Sequence, residues 1–166
     1  MKIIYNKVLI AMDDSEVAFN AAKKILDLFS NGTDSKENMP EIVAFHSIEH
    51  HKFPKYMPIM VPSGFGGRYT VPTVDYRKIQ EEYKRHGEQI LEKTKKMFKE
   101  KNIEIETRLV DDEKPEDYIK KIVKEEGFDL VALGNTGEHS KLGEFLLGTV
   151  TQEVVKAAPC DILVVS

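Results

Sequence analysis

The chain has 166 residues, 24 of them lysine or arginine against 28 aspartate or glutamate, for a formal charge of −4. That length predicts one domain, residues 1–166, able to bury roughly 68–70% of its unfolded surface without disulfide or metal staples. The lone Cys160 offers no internal bridge. With 41% hydrophobic and 31% charged residues, the composition is that of an ordinary globular protein. The acidic balance argues against a broad grip on nucleic-acid phosphates. No apolar run approaches the roughly 20 residues that span a bilayer, and no signal-type apolar stretch precedes Lys7. The expectation is a cytoplasmic protein with neither nucleic acid nor membrane as partner.

The first element is the apolar run Lys7 to Met12, which ends in Asp13-Asp14-Ser15. Runs apolar on both faces suit parallel strands covered by helices on each side. A helix follows, with Ala18, Ala21, Ala22, Ile25, Leu26 and Phe29 at three- and four-residue spacing, Ser15 as N-cap and Asn31-Gly32 as its stop. Ile42 to Ile48 reads as the second strand. Between His50 and Val74 lie four of the seven prolines and three glycines, so residues 50–74 are expected to be a long irregular loop. Its Phe53, Tyr56, Met57, Phe65 and Tyr69 fit either a lid or partner surface or a plain surface insertion.

From about Asp75 to Lys101 the stripe Tyr76, Ile79, Tyr83, Ile90, Met97 and Phe98 predicts a long amphipathic helix, with Gly87 marking a close contact or a kink. Ile103 to Val110 alternates, which predicts a strand with one wet face near a sheet edge. Pro115 opens a third helix and Gly127 closes it. Leu130 to Leu133 is a buried strand running into Gly134. A glycine-bearing loop then leads to a helix with Val150, Val154 and Val155, and Ile162 to Val165 forms the last strand. Strict alternation of five strands and four helices predicts an α/β fold: a three-layer, doubly wound sheet of five parallel strands in the order 3-2-1-4-5, helices on both faces.

In such sheets ligands bind outside the carboxyl ends of the strands, where the strand order reverses. Two strand ends carry unusual residues: Asp13-Asp14-Ser15, and Gly134-Asn135-Thr136-Gly137 with Gly148-Thr149-Val150-Thr151. Glycines admit a phosphate close to the backbone, and the start of the last helix presents N–H groups and a positive dipole end to an anion. Thr149 and Thr151 add hydroxyl donors. The same glycines also serve as plain turn residues. Asp13 can accept an amine or ribose hydroxyl hydrogen bond, or cap the first helix. His50-His51 lacks a completed metal-ligand set, Gly64-Phe65-Gly66-Gly67-Arg68 lacks the Lys-Ser/Thr ending of a P-loop, and His46 and His139 stand singly.

With these residues in place the chain resembles the universal stress protein family, in its ATP-binding branch. The likeness is carried by Val8 to Ser15, by Phe45-His46-Ser47-Ile48, and by Pro115. Asp129 to Gly137, Leu146 to Thr151 and Pro159 to Val165 complete it. Ten residues, Glu138 to Leu147, separate Gly137 from Gly148 where the family pattern has nine, and Asp14 stands where glycine is usual. The resemblance implies bound ATP or AMP, with Mg²⁺ or Mn²⁺ on the phosphates. It implies that Asp13 accepts from the adenosine moiety, that the Ser47 backbone reads the adenine edge, and that Ala11, Leu133 and Gly134 line base and ribose. Thr136, Gly137, Gly148, Thr149, Val150 and Thr151 would hold the phosphates.

The resulting expectation is an adenine-nucleotide-binding regulatory protein with at most slow ATP hydrolysis and no assigned catalytic residue. It would act as a homodimer through its last strand, an apolar edge that needs covering. Two other classes stand beside it. One is an interaction module of the same fold without ligand. The other is a phosphoacceptor receiver domain, with Asp13-Asp14 as acidic pair and Asp111 or Asp112 as acceptor, for which no lysine follows the last strand up to Ser166.

Overall fold

The structure is a computed structural model that describes residues 5–30, 39–49, 60–62, 68–70, 76–135 and 148–166. Among them the elements run β1 (Lys7–Ala11), α1 (Glu16–Ser30), β2 (Glu41–Ile48), β3 (Met60–Pro62), β4 (Arg68–Thr70), α2 (Tyr76–Lys99), β5 (Glu106–Asp111), α3 (Pro115–Glu126), β6 (Leu130–Gly134), α4 (Thr149–Ala157) and β7 (Asp161–Val165). Five strands form one parallel sheet in the order β5-β2-β1-β6-β7. Numbered within that sheet, this is the 3-2-1-4-5 order that alternation predicts. The remaining two strands make a separate antiparallel ribbon, Met60 opposite Thr70 and Pro62 opposite Arg68. The stretch read as wholly irregular thus holds one short hairpin. A two-stranded ribbon is all edge, where proline is tolerated. The other residues of 50–74, His50-His51, Phe53, Tyr56, Met57 and Phe65 among them, lie outside the described residues, as does Asn31-Gly32.

Handedness explains the layers. The path β1 to β2 to β5 moves one way across the sheet, and right-handed crossovers put α1 and α2 on one face. The path β5 to β6 to β7 moves the other way and puts α3 and α4 on the opposite face. Strand side chains alternate between the two cores. Val8, Ile10, Ile42, Ala44, Leu130 and Ala132 pack under α1 and α2, whereas Leu9, Val43, Phe45, Val131 and Leu133 pack under α3 and α4. The reversal falls between β1 and β6.

Local signals set the helix ends. Ser15 Oγ accepts the Ala18 N–H at 3.2 Å, capping α1. Pro115 occupies the first turn of α3, and Gly127 ends it at φ 71°, its N–H donating to the Val123 carbonyl at 3.1 Å. In α2 the expected stripe is only half used. Ile90, Leu91, Thr94 and Phe98 are buried, yet Tyr83 is 43% exposed and most residues before Gly87 face water. The cause is length: 24 residues make a helix of about 36 Å, and strands of five to eight residues reach only about 17–26 Å. Gly87 marks a close contact. A Cβ there would lie 2.6 Å from Leu109 Cδ1 and 2.7 Å from His46 Cδ2.

The amino ends of the strands are tied together by charge. Arg108 Nη1 and Nη2 donate to Glu126 Oε1 and Oε2 at 2.8 and 3.0 Å, while its Nε donates to Glu106. Lys7 Nζ reaches Glu126 at 3.1 Å and Glu41 at 3.2 Å. Asp129 accepts the N–H groups of Asn6 and Lys7, and Tyr5 donates to Asp161. Among the described residues no helix is long and apolar enough to cross a membrane.

Candidate functional site

The carboxyl ends of β1 and β6 lie side by side, since Val8, Leu9 and Ile10 pair with Leu130, Val131 and Ala132. Beyond β1 the chain turns through Asp13, whose Oδ1 accepts the Ser15 N–H at 2.9 Å and also the Ser15 hydroxyl. Asp13 therefore does not cap α1 itself. It fixes Ser15, which does, and is held half-buried at the mouth of the crevice. Beyond β6, Gly134 lies against the first turn of α1. A Cβ on it would stand 2.6 Å from Val17 Cγ2 and 3.0 Å from the Val17 carbonyl carbon. Close approach of helix to strand, not a turn, demands glycine here.

Asn135 N–H extends the β6–β7 pairing to the Val165 carbonyl at 2.8 Å, and the Gly148 N–H donates to the Asn135 carbonyl at 2.6 Å. The neck of the glycine stretch is thereby closed. Gly148 is the N-cap of α4, and among the described residues no side chain caps the helix. The first bond back along α4 is Gln152 N–H to the Gly148 carbonyl at 2.9 Å. The N–H groups of Thr149, Val150 and Thr151 precede it and have no partner within the helix. With the positive end of the helix dipole they form a turn of the kind that can accept an anion.

The structure divides the expected site residues. It brings Ala11, Asp13, Gly134, Gly148, Thr149 and Val150 to this end of the sheet. Leu133 belongs to β6, but its side chain is 2% exposed and packed in the core under α3 and α4. The Thr151 hydroxyl is not free for phosphate: it is buried and donates to the Gly134 carbonyl at 2.8 Å. What Thr151 offers an anion is its backbone N–H. Thr136, Gly137 and the ten residues Glu138 to Leu147, with His139 and Gly143, lie outside the described residues.

Ser47 is positioned by the ladder. Met12 N–H donates to the Phe45 carbonyl at 2.9 Å, and Asp112 N–H to the Ile48 carbonyl at 2.8 Å. Backbone groups alternate sides along a strand, so those of Ser47 point the same way as those of Phe45, toward β1. But β1 ends at Ala11, and the Ser47 backbone therefore faces the crevice. Its hydroxyl is turned elsewhere, donating to the Glu113 carbonyl. One further tie has no signal in the residue pattern: Asp14 Oδ2 lies 3.4 Å from His86 Nε2, linking this end to the overhanging part of α2.

Among the described residues no three histidine, cysteine, aspartate or glutamate side chains group to hold a metal ion. The strand order also bears on the receiver reading, because a receiver sheet runs 2-1-3-4-5, with its third strand beside the first. Here β2 separates Asp111 and Asp112, at the end of β5, from Asp13. That topology removes the phosphoacceptor alternative.

Comparison with known proteins agrees with this architecture. The chain is 29% identical over 162 residues to the universal stress protein YxiE of Bacillus subtilis, covering 98% of this chain and 99% of the relative. A universal stress protein of Methanocaldococcus jannaschii is 28% identical over 162 residues, with 98% and 82% covered. Among solved structures, the universal stress protein UspA from Lactobacillus plantarum matches with a TM-score of 0.72 at 18% identity over 99% of each chain. A universal stress protein from Archaeoglobus fulgidus in complex with dAMP matches at 0.55, with 16% identity over 99% of this chain and 100% of that one. A family member from Arabidopsis thaliana with AMP bound matches at 0.58, with 21% identity over 96% and 90%. At such identities the structures establish the fold. Residues 67–166, well over half the chain, match the universal stress protein family model, and the chain belongs to that family.

Proposed function

We propose that the protein binds an adenine nucleotide, ATP or AMP, across the carboxyl ends of β1 and β6, and that it acts as a regulator and not as a dedicated enzyme. The observation that carries this is the first turn of α4, uncapped among the described residues: three N–H donors at the end of a strand adjacent to the one that leads into Asp13. Thr149, Val150 and Thr151 donate backbone N–H groups to phosphate oxygens, joined by Thr136, Gly137 and Gly148 from the glycine stretch. Asp13, fixed through Ser15, accepts a ribose hydroxyl. Ala11 and Gly134 form the floor under ribose and base, with Leu133 setting the strand from below. The Ser47 backbone, facing the crevice, meets the adenine edge. Relatives of the same fold hold dAMP and AMP, which supports an adenine ligand. Mg²⁺ or Mn²⁺ would enter on the phosphates and neutralise their charge. Nucleotide then stabilises one arrangement of the surrounding loops by linkage.

Gly148→Val tests the site. Gly148 sits at φ −59° and ψ 158°, a conformation open to any residue, so the variant should fold normally. Nucleotide at about a hundred times its dissociation constant stabilises a binding protein by about 2.7 kcal/mol. Wild type should show that shift in thermal unfolding with AMP or ATP, and Gly148→Val should not. A shift retained by the variant overturns the assignment.

The regulator acts, in this reading, as a homodimer through β7. That strand lies at the sheet edge, and Ile162, Leu163, Val164 and Val165 are only half covered. The N–H of Asp161 and the carbonyl of Val165 face β6, so alternation turns the backbone groups of Ile162 and Val164 outward. Two-fold pairing of one strand with itself is antiparallel and closes both edges. Val164→Pro removes an outward donor, a change that an edge strand tolerates. Light scattering should show a dimer for wild type and a folded monomer for the variant. A wild-type monomer at micromolar concentration refutes the pairing.

A further inference from the structure

The β1–β2 ladder ends one rung early, and a side chain stands where the missing rung would be. In a parallel pair whose Phe45 bonds to β1 on both sides of Ala11, the next rung joins the Ser47 N–H to the Met12 carbonyl. Among the described residues the last backbone rung between the two segments is instead Met12 N–H to the Phe45 carbonyl. The Met12 carbonyl is taken by a side chain: His46 Nδ1 lies 2.8 Å from it. A bond to a carbonyl requires Nδ1 to carry hydrogen, which the neutral Nδ1–H tautomer and the imidazolium both provide. The ring needs room on the α2 face of the sheet, and Gly87 supplies it, since a Cβ there would stand 2.7 Å from His46 Cδ2 and 3.4 Å from Nε2.

We propose that His46 is a positioning residue of the nucleotide site: by capping the Met12 carbonyl it stops the β1–β2 ladder one rung short and keeps the Ser47 N–H and carbonyl open for the edge of a purine base. Gly87 is the second half of the device, the gap in α2 that lets the imidazole lie where it can reach Met12. The role rests on the proposed adenine-nucleotide site, but its structural half, the diverted rung, is independent of any ligand. His46 touches neither base nor phosphate in this scheme and acts only through the backbone that it holds apart.

Amide hydrogen exchange at Ser47, read by NMR with and without AMP, tests both halves. In wild type the Ser47 amide should exchange freely without ligand and become protected by AMP. In His46→Ala the Met12 carbonyl becomes available, so Ser47 should gain about tenfold protection without ligand, the equivalent of one hydrogen bond of about 1.4 kcal/mol. AMP affinity should fall by a similar factor. His46→Asn, whose Nδ2 can occupy the place of Nδ1, should restore fast exchange and affinity, a rescue that mere loss of packing would not show. Gly87→Ala, which displaces the ring while His46 remains, should reproduce the His46→Ala pattern. An unprotected Ser47 amide in both His46→Ala and Gly87→Ala, or AMP affinity unchanged within about twofold in both, overturns the proposal. If wild type shows no AMP protection at all, the nucleotide reading fails, and exchange without ligand still judges the role of His46.

Discussion

At the amino ends of the strands, Arg108 clasps both oxygens of Glu126 and reaches Glu106, Lys7 bridges Glu126 and Glu41, and Asp129 gathers the N–H groups of Asn6 and Lys7. At the carboxyl ends of the same strands the polar groups are held but not used up. Asp13 and Thr151 are pinned by single neighbours, the first turn of α4 has no side-chain cap among the described residues, and the Ser47 backbone points past the end of β1. One end spends its polar groups on one another, which locks five elements together. The other leaves donors and acceptors pointing past the strand ends, an arrangement that costs stability unless a ligand takes them up. Openness at one end is affordable because the other is stapled.

The sharpest way to break that contrast is to disturb the floor of the open end. Gly134→Ala places a methyl 2.6 Å from Val17 Cγ2 and 3.0 Å from Val17 backbone. The first turn of α1 must then lift from β6, or the strand must shift. Overpacking of this kind costs about 2–3 kcal/mol, to be read as a lower urea midpoint at unchanged slope. Because α1 also carries the Ser15 cap that holds Asp13, nucleotide stabilisation should weaken in the same variant. A neutral effect on both would mean that the α1–β6 contact is looser than its distances.

A smaller loss should come from the stapled end. Arg108 hydrogen bonds hold the Glu126 carboxyl below its usual range, partial desolvation opposes them, and Lys7 adds to the lowering. Glu126→Gln removes the charge at nearly constant shape and should cost about 1–2 kcal/mol at neutral pH. The sign of its pH dependence follows from linkage. A carboxyl depressed in the folded state contributes stability that is fully present above its unfolded pKa, about 4.3, and is lost as pH falls through the lower folded value. The stability gap between wild type and Glu126→Gln should therefore be widest near neutrality and close on acidification below about pH 4. Asp129 responds in the same direction: burial pushes its carboxyl up, but bonds from the Asn6 and Lys7 N–H groups and the Asn6 side chain outweigh it. Only the difference between the two proteins isolates Glu126. A gap that persists at low pH would refute the assignment of its worth to charge.

The contrast also separates what sequence reveals from what it hides. Strand order was legible because apolar runs alternating with helical stripes admit few right-handed windings, and both edge strands followed from it. Pro115 and Gly127 announced the ends of α3 because their backbone preferences act locally. The placement of Asp13, Gly134 and Gly148 at strand and helix ends was legible for the same reason. Their individual duties were not. That Gly134 serves Val17, that the Thr151 hydroxyl turns to Gly134, that Ser15 and not Asp13 caps α1, and that His46 diverts a rung all depend on the approach of segments distant in the chain. The overhang of α2 and the Met60–Pro62 hairpin were hidden likewise, because periodicity reports amphipathicity and not the length of the sheet beneath.

The smallest effect should come from an exposed side-chain contact at the open end, and its size sharpens the comparison most. His86 Nε2 and Asp14 Oδ2 stand 3.4 Å apart with side chains 48% and 43% exposed, whereas the Arg108 and Glu126 side chains are 23% and 30% exposed and bonded through both oxygens. Water screens the first pair, and ordering two exposed side chains cancels much of its attraction, so a double-mutant cycle over Asp14→Ala and His86→Ala should return about 0.2–0.5 kcal/mol. The same cycle over Arg108→Ala and Glu126→Ala should return more than about 1 kcal/mol, because each partner leaves a desolvated charge behind. The second coupling should survive high salt, since screening reaches partly buried charges least. Equal couplings would show that the carboxyl end is stapled as firmly as the amino end. The crevice would then owe its openness to backbone geometry at Met12, Ser47 and Gly148 alone.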